Sequence, residues 1–554
     1  MRFSRSFSAL RHSASATHRP SFVPRAAAAA ALWLVSACGP AEARHAPGTV
    51  IVPEPSLTSL GPELSVDVLV NPSERGRSVA TTAFGLHGSV YDNALHDPAL
   101  PALLSAAGVG LIRWPGGGYS DNYHWATHTL TPFSDGSPGY LAARTDFGNF
   151  VQALESFGAQ AMITVNYGSN QGGNGPGEAL EAAAWVAYAN GDPSSEQVLG
   201  VDSTGFDWKT VGYWASLRAS EPLAEDDSQN FLRIAHPAPF GIRYWEIGNE
   251  LFGNGYYSGE YELDLHAPYD GRPRLGHPAL SPATYGRGVV AYAEQMKAVD
   301  PSIRIGAVLN TPPMDYGWGP NWNRDVLQQA GAIADFLIVH WYPSGSLAQV
   351  LDAPRKQVPA MMQELQKSVA TCCPERDTAP EVTVTEMGPN ASVSIDSAHA
   401  QATGLFAVNG YATLLENGVV NIDWLELHNG SFLSERSQRL GPAYKGIQLA
   451  SRFVQSGDTF VSSSSSVPYA LQAHAATRDD GSVSLLLVNI APATVATVNL
   501  TFEDGFTKAH AERYDYRPTG EAADGQVVGP LDVDPNAPLR VDAYSALVLV
   551  FRSQ

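Results

Sequence analysis

The chain has 554 residues, of which 44% are hydrophobic, enough for large cores and too apolar for wholesale disorder. It carries 34 Lys+Arg against 55 Asp+Glu, a formal charge of −21. That balance argues against nucleic acid or an anionic membrane surface as the main partner, because phosphate binding needs a basic footprint. No Walker A loop is present, and three cysteines cannot build a disulfide scaffold.

Residues 1–38 read as an export signal. Arg2, Arg5, Arg11, Arg19 and Arg25 precede any acid, and the apolar run Ala26–Leu34 is too short to span a bilayer. Val35-Ser-Ala-Cys38 resembles the bacterial lipoprotein cleavage box, which implies lipidation at Cys38. The expected location is the cell envelope, with membrane contact only through that lipid, or the exterior after a cut near Ala37. Residues 39–63 are Pro-rich and aperiodic, a tether. Within 64–80, Leu64–Val70 alternates as a half-buried strand does and is expected to pack on a C-terminal sandwich.

From 81 to 436 short apolar runs alternate with longer Ala/Leu-rich stretches. The predicted strands are Thr82–Leu86, Val109–Trp114, Ala161–Tyr167, Ile242–Ile247, Ile303–Leu309, Phe336–Trp341, Glu381–Thr385 and Ile422–Leu427. Helical patterns at Asp146–Phe157, Gly177–Ala189, Pro282–Val299 and Ala400–Glu416 separate them. Parallel βα units in this number imply an α/β fold closed as a (β/α)8 TIM barrel. An insertion at about 191–240 belongs above or beside the active face. Residues 437–554 alternate with period two and read as an all-β sandwich, with Ser462–Ser466 as a surface loop. The adjacent Cys372 and Cys373 read as structural and non-metallic, since a vicinal disulfide is strained.

In such a barrel the chemistry sits at the C-terminal ends of strands. Strand four ends in Tyr244-Trp-Glu-Ile-Gly-Asn-Glu250 and strand seven in Thr383-Val-Thr-Glu386, which puts two carboxylates at one mouth. Hydrolysis of an acetal needs that pair, one acid to protonate the leaving oxygen and one anion facing the oxocarbenium-like centre. Glu246 shares a face with Glu250, lies deeper, needs a partner, and reads as structural. Gly116-Gly117-Gly118 lacks the Lys-Ser/Thr of a phosphate loop and instead lets backbone approach the mouth. Rings at Trp114, Tyr119, Tyr123, Trp125, Tyr167, Tyr256, Tyr257, Trp318 and Trp322 flank strand ends, as a sugar cleft would require.

The Trp-Glu-Ile-Gly-Asn-Glu250 motif, with Leu251-Phe-Gly-Asn-Gly-Tyr-Tyr257, resembles the acid/base signature of clan A glycoside hydrolases, and most of all α-L-arabinofuranosidases of family 51. Leu111-Ile-Arg-Trp-Pro-Gly-Gly-Gly118, Ile163-Thr-Val-Asn-Tyr-Gly168 and Val339-His-Trp-Tyr-Pro343 are similar to that family's second, third and sixth strands. The resemblance implies a retaining hydrolase of plant-type polysaccharide, with Glu250 as acid/base, Glu386 as nucleophile and no cofactor or metal. It implies sugar contacts from Asn249, Arg113, Asn166, His340, Tyr342 and Trp424, the last as a floor for the ring. A carbohydrate is the expected partner. Two departures stand out. The family's furanose-binding Glu after strand one is missing, leaving His87 or Asp92 as substitutes, and Glu386-Met-Gly-Pro replaces the usual Asp-Glu-Trp context. Other clan A activities (endoglucanase, xylosidase, glucuronidase) and a non-catalytic carbohydrate-binding lipoprotein are the alternatives.

Overall fold

The computed structural model describes residues 54–553 except 133–137, 254–263, 267–280, 314–320, 391–399, 429, 520 and 521. The segments expected to be an export signal and a tether, with Cys38, lie wholly or mostly outside the described residues, as do Tyr256, Tyr257 and Trp318. Among the described residues no helix is long and apolar enough to cross a membrane.

Eight parallel strands close a barrel: one (Phe84–His87), two (Leu111–Trp114), three (Gln160–Val165), four (Tyr244–Ile247), five (Arg304–Val308), six (Phe336–Trp341), seven (Glu381–Met387) and eight (Val419–Trp424). Each of the first seven overlaps its expected run closely. Strand eight begins and ends three residues early. The helices start where local chemistry caps them: the Asp146 carboxylate accepts from Asn149 N–H at 3.0 Å, and Ser281 Oγ from Thr284 N–H at 3.2 Å just before Pro282. The insertion lies beside the barrel. Its helix Val211–Ala219 is tied to the helix Ala179–Asn190 by the buried Arg218, whose guanidinium donates to the Tyr188 and Gly191 carbonyls.

The helix Pro442–Phe453 falls inside the stretch expected to be all-β. It follows strand eight and packs on Ala400–Glu416, closing the eighth βα unit, so the sheet strands begin only at Thr459. They form one continuous nine-stranded sheet, in the order 522–533, 508–519, 545–553, 483–489, 471–477, 459–465, 63–78, 495–502, 539–541. All neighbours are antiparallel except 63–78 with 495–502. Ala511 and Val541, near opposite ends of that order, share one core, so the sheet curls over itself. Ser462–Ser465 is strand rather than loop, because pairing with Val68–Asn71 overrides its composition.

The sheet buries both faces. Leu485, Leu487, Leu547 and Leu549 point into its own core, and Leu486, Val488, Val548 and Val550 into the core shared with the barrel helices. That is why Val483–Asn489 is apolar almost throughout and buried at every position.

Candidate active site

Arg113, at the end of strand two, organises the mouth. Its Nε donates to Glu246 Oε2 at 2.6 Å, Nη1 to Glu386 Oε1 at 2.9 Å and Nη2 to Asn249 Oδ1 at 2.8 Å. A planar fork with fixed donors suits three partners on the ends of strands four and seven, which a lysine could not hold together. Thr164 Oγ1 adds a bond of 2.5 Å to Glu246 Oε2, so Glu246 is a structural anchor for the guanidinium.

Glu386 is 6% exposed. Its Oε2 accepts from Tyr342 OH at 2.7 Å and lies 3.4 Å from His340 Nδ1. Burial alone would raise its pKa, but His340, Arg113, His87 and the Tyr342 hydroxyl outweigh it and hold the carboxyl at about 2. Glu386 is therefore an anion across the working range of pH. A bulge in strand seven lies between Val384 and Glu386, and it lets both Thr385 and Glu386 reach His340. Gly117 comes so close that a Cβ there would sit 3.2 Å from Glu386 Oε1.

Glu250 follows strand four in a left-handed backbone conformation (φ +44°), unusual for a non-glycine residue and of a kind that clusters at working sites. Its Oε1 lies 2.7 Å from His340 Nδ1, and its side chain is 14% exposed. Oxygens of Glu250 and Glu386 and a nitrogen of His340 all lie within 4.8 Å of one another. Burial lowers the pKa of His340, but the two carboxylates overcome this and raise it. A single imidazole ring thus faces both acids, with Nε2 3.2 Å from Thr385 Oγ1. The same three side chains are the set among the described residues that could hold a metal ion.

Asn249 is joined to the cluster through Arg113, and its own N–H donates to Asp121 Oδ2 at 3.0 Å. Asp121 also accepts from Tyr167 N–H at 3.1 Å. Burial pushes its carboxyl up to about 8 against the pull of those N–H groups. It pins the loops after strands two, three and four together, and sequence reasoning missed it. The available signal was an acid amid glycines and aromatics directly after strand two.

Other expected residues lie elsewhere. Asn166 spends its amide on the segments after strands two and three, donating to the Tyr123 carbonyl at 3.2 Å and accepting from Ser169 N–H at 3.0 Å. Trp424 is 1% exposed, packs against Phe406 and donates to the Gly430 carbonyl at 2.7 Å. Strand alternation puts Asp423 inside the barrel and Trp424 on the helix side, so this ring is core and not a sugar floor. Trp114, Tyr123, Trp125, Tyr167 and Trp322 are likewise buried, stacking among themselves and their helical neighbours. His87 is 1% exposed, kept neutral by burial and by Arg113, and receives Gly117 N–H at 3.1 Å. Asp92 is paired with His428 at 2.7 Å. Neither presents a free group to a sugar.

No family model matches the chain. Over 278 residues it is 25% identical to α-L-arabinofuranosidase C of Emericella nidulans, covering 47% of this chain and 41% of that protein. Over 303 residues it is 22% identical to an intracellular exo-α-(1→5)-L-arabinofuranosidase of Bifidobacterium longum, covering 53% and 43%. The matched stretches thus span less than half of these curated relatives. The family 51 α-L-arabinofuranosidase of Thermotoga petrophila superimposes with a TM-score of 0.66 at 19% identity, covering 88% of this chain and all of that one. The fold is that of a family 51 α-L-arabinofuranosidase. The sequence is a distant relative of the same enzymes. A family 44 endoglucanase of Clostridium thermocellum also shares the fold, with a TM-score of 0.58 at 16% identity and 88% of this chain covered.

Proposed function

We propose that this protein is a retaining glycoside hydrolase that releases arabinofuranosyl units from plant-type polysaccharide. One observation carries the reading: Glu250 and Glu386 approach within 4.8 Å around a shared His340. Carboxyl groups about 5–5.5 Å apart leave no room for a water between acid and base, which favours double displacement over inversion. Glu386, ionised and aimed by Arg113 and Tyr342, attacks the anomeric carbon as the glycosidic C–O bond breaks. Glu250 gives its proton to the leaving oxygen. In the second half Glu250 takes a proton from water, whose oxygen displaces Glu386 and frees the sugar. His340, 2.7 Å from Glu250 and 3.4 Å from Glu386, sits between the two carboxyls.

The test is a panel of p-nitrophenyl glycosides (α-L-arabinofuranoside, β-D-xyloside, β-D-glucoside and β-D-glucuronide), with the product anomer followed by NMR. Release from the arabinofuranoside with retention is expected, and inversion would overturn the mechanism. Glu250→Ala should lose about 10²–10⁴-fold on a natural linkage while sparing an activated aryl glycoside. The endoglucanase likeness favours a second reading, an endo-β-glycanase on the same two carboxylates. It predicts silence on the panel and depolymerisation of a β-glucan. Export as a Cys38-lipidated protein is supported by the basic start, the short apolar run and the Val-Ser-Ala-Cys box. Labelled fatty acid incorporated by the wild type and lost in Cys38→Ala tests it.

A further inference from the structure

The C-terminal sheet curls without closing. Its end strands, 522–533 and 539–541, are not hydrogen-bonded to each other among the described residues. A cavity of about 260 Å³ lies beside them and borders the sheet's own core. Its apolar wall is Val498, Leu500, Val533, Leu539, Leu549 and Phe551. A sheet of about eight strands rolled on itself has an interior just wide enough for its side chains or for one small ligand. The cavity is a little below the usual ~300–1,000 Å³ of small-molecule sites.

Two cations line the same space. Lys508 is half-buried, with Nζ 6.0 Å from the centroid of the Phe551 ring, and its ammonium makes no ion pair or hydrogen bond among the described residues. Arg513 is held on one side: Nε donates to both Asp515 oxygens at 3.0 Å, and Nη2 to Asp515 Oδ1 at 2.7 Å and to the Arg540 carbonyl at 3.4 Å. Its Nη1 makes no bond among the described residues. The one acid lining the cavity, Asp534, accepts Asn536 N–H at 2.9 Å in a turn flanked by Pro535 and Pro538. A chain of formal charge −21 thus keeps an unpaired ammonium against an apolar wall.

We propose that this cavity binds one small organic carboxylate, its apolar body against Leu500, Leu539, Leu549 and Phe551 and its anionic end on Lys508 Nζ, with Arg513 Nη1 as a second donor. Burial of the body supplies a hydrophobic contribution, and the charge pair gains where the wall keeps water away. A sugar is the poorer match. It carries a hydroxyl on nearly every carbon, and each one turned to Val498 or Leu549 without a partner weakens binding. The lining residues all belong to the sheet and its turns, so the proposal does not depend on the glycosidase reading.

The experiment is calorimetric titration of the full chain with phenylbutyrate, against phenylbutanol, phenylbutylamine and D-glucuronate, in wild type, Lys508→Gln and Leu539→Trp. Thermal unfolding serves as the folding control. Phenylbutyrate is expected to bind once per chain, about tenfold more tightly than the alcohol. Lys508→Gln should weaken the acid about tenfold and leave the alcohol within about twofold. Leu539→Trp, which fills the cavity, should abolish both. Absence of binding at about 10 mM, equal affinity for acid and alcohol, or acid binding that neither substitution changes would overturn the proposal. Tighter binding of the amine would overturn it in favour of Asp534, and tighter binding of D-glucuronate in favour of a sugar site. If Leu539→Trp does not fold, wild type against Lys508→Gln decides alone, because the Lys508 ammonium has no bond within the protein whose loss could unfold it.

Discussion

The interior of the barrel and the core of the C-terminal sheet are equally closed to water and are built from opposite materials. The sheet core is aliphatic: Val66, Val68, Val70, Leu485, Leu487, Leu547 and Leu549 fill it. The barrel holds Arg113, Thr164, Glu246, Glu386, Asn421 and Asp423, all buried. Glu246 Oε1, Asn421 Oδ1 and Asp423 Oδ2 have no hydrogen-bond partner there. Each such orphan costs about 1–3 kcal/mol, so a barrel filled with aliphatics would be the more stable object. Even glycine placement serves the polar array, since a Cβ at Gly85 would collide with Asp423 Oδ1 at 1.9 Å. One region supplies stability, and the other uses it to hold the Glu386 anion next to His340.

That division should be visible in a pair of substitutions. Glu386→Gln removes the proposed nucleophile and should cut turnover by about 10⁴-fold or more in single-substrate kinetics. Leu487→Ala empties part of the sheet core and should cost about 2–5 kcal/mol in denaturant unfolding while leaving kcat/KM within about twofold. A deep loss of kcat/KM from Leu487→Ala in protein still folded would break the separation and make the sheet part of the catalytic unit.

The barrel was legible in the sequence because its strands are short apolar runs bounded by helical patterns, and its carboxylates because they end two of those runs. What failed was phase. Extending strand eight to Leu427, when it stops at Trp424, makes Glu426 a strand residue although it lies beyond the strand. Period two sends Asp423 inward and Trp424 outward wherever the strand ends, so the ring at 424 belonged to the helix side in the expected run as well. Asn166 and the buried rings looked like site residues because they stand beside strand ends. Which way a loop turns an amide, as the bonds to Tyr123 and Ser169 do for Asn166, depends on partners more than forty residues away or on a local turn. The pairing of 63–78 between 459–465 and 495–502 is non-local in the same sense, and no local pattern around Pro72 announces it.

Asp121 offers the finest test of the contrast, through pH. Its carboxyl lies at about 8 in the folded protein against an ordinary 3.8, so the fold keeps a proton that the unfolded chain releases above about 4. Where the native state binds more protons, stability falls as pH rises, here across the window from about 4 to about 8. Asp121→Asn removes that slope, but an amide offers one acceptor oxygen where Asp121 receives Tyr167 N–H and Asn249 N–H on two. At pH 5 the variant should therefore be less stable than wild type by about 1 kcal/mol. By pH 8 the gap should close or reverse. Glu386, depressed to about 2, contributes stability above its ordinary 4.5 that is lost only as pH falls toward 2, outside this window. Urea unfolding of wild type, Asp121→Asn and Leu487→Ala at pH 5 and 8 reads all three slopes. The cost of Leu487→Ala should not change with pH, since no titrating group lies in that core. A constant gap between wild type and Asp121→Asn would mean that Asp121 is ionised in the fold, held by its N–H groups rather than neutralised by burial.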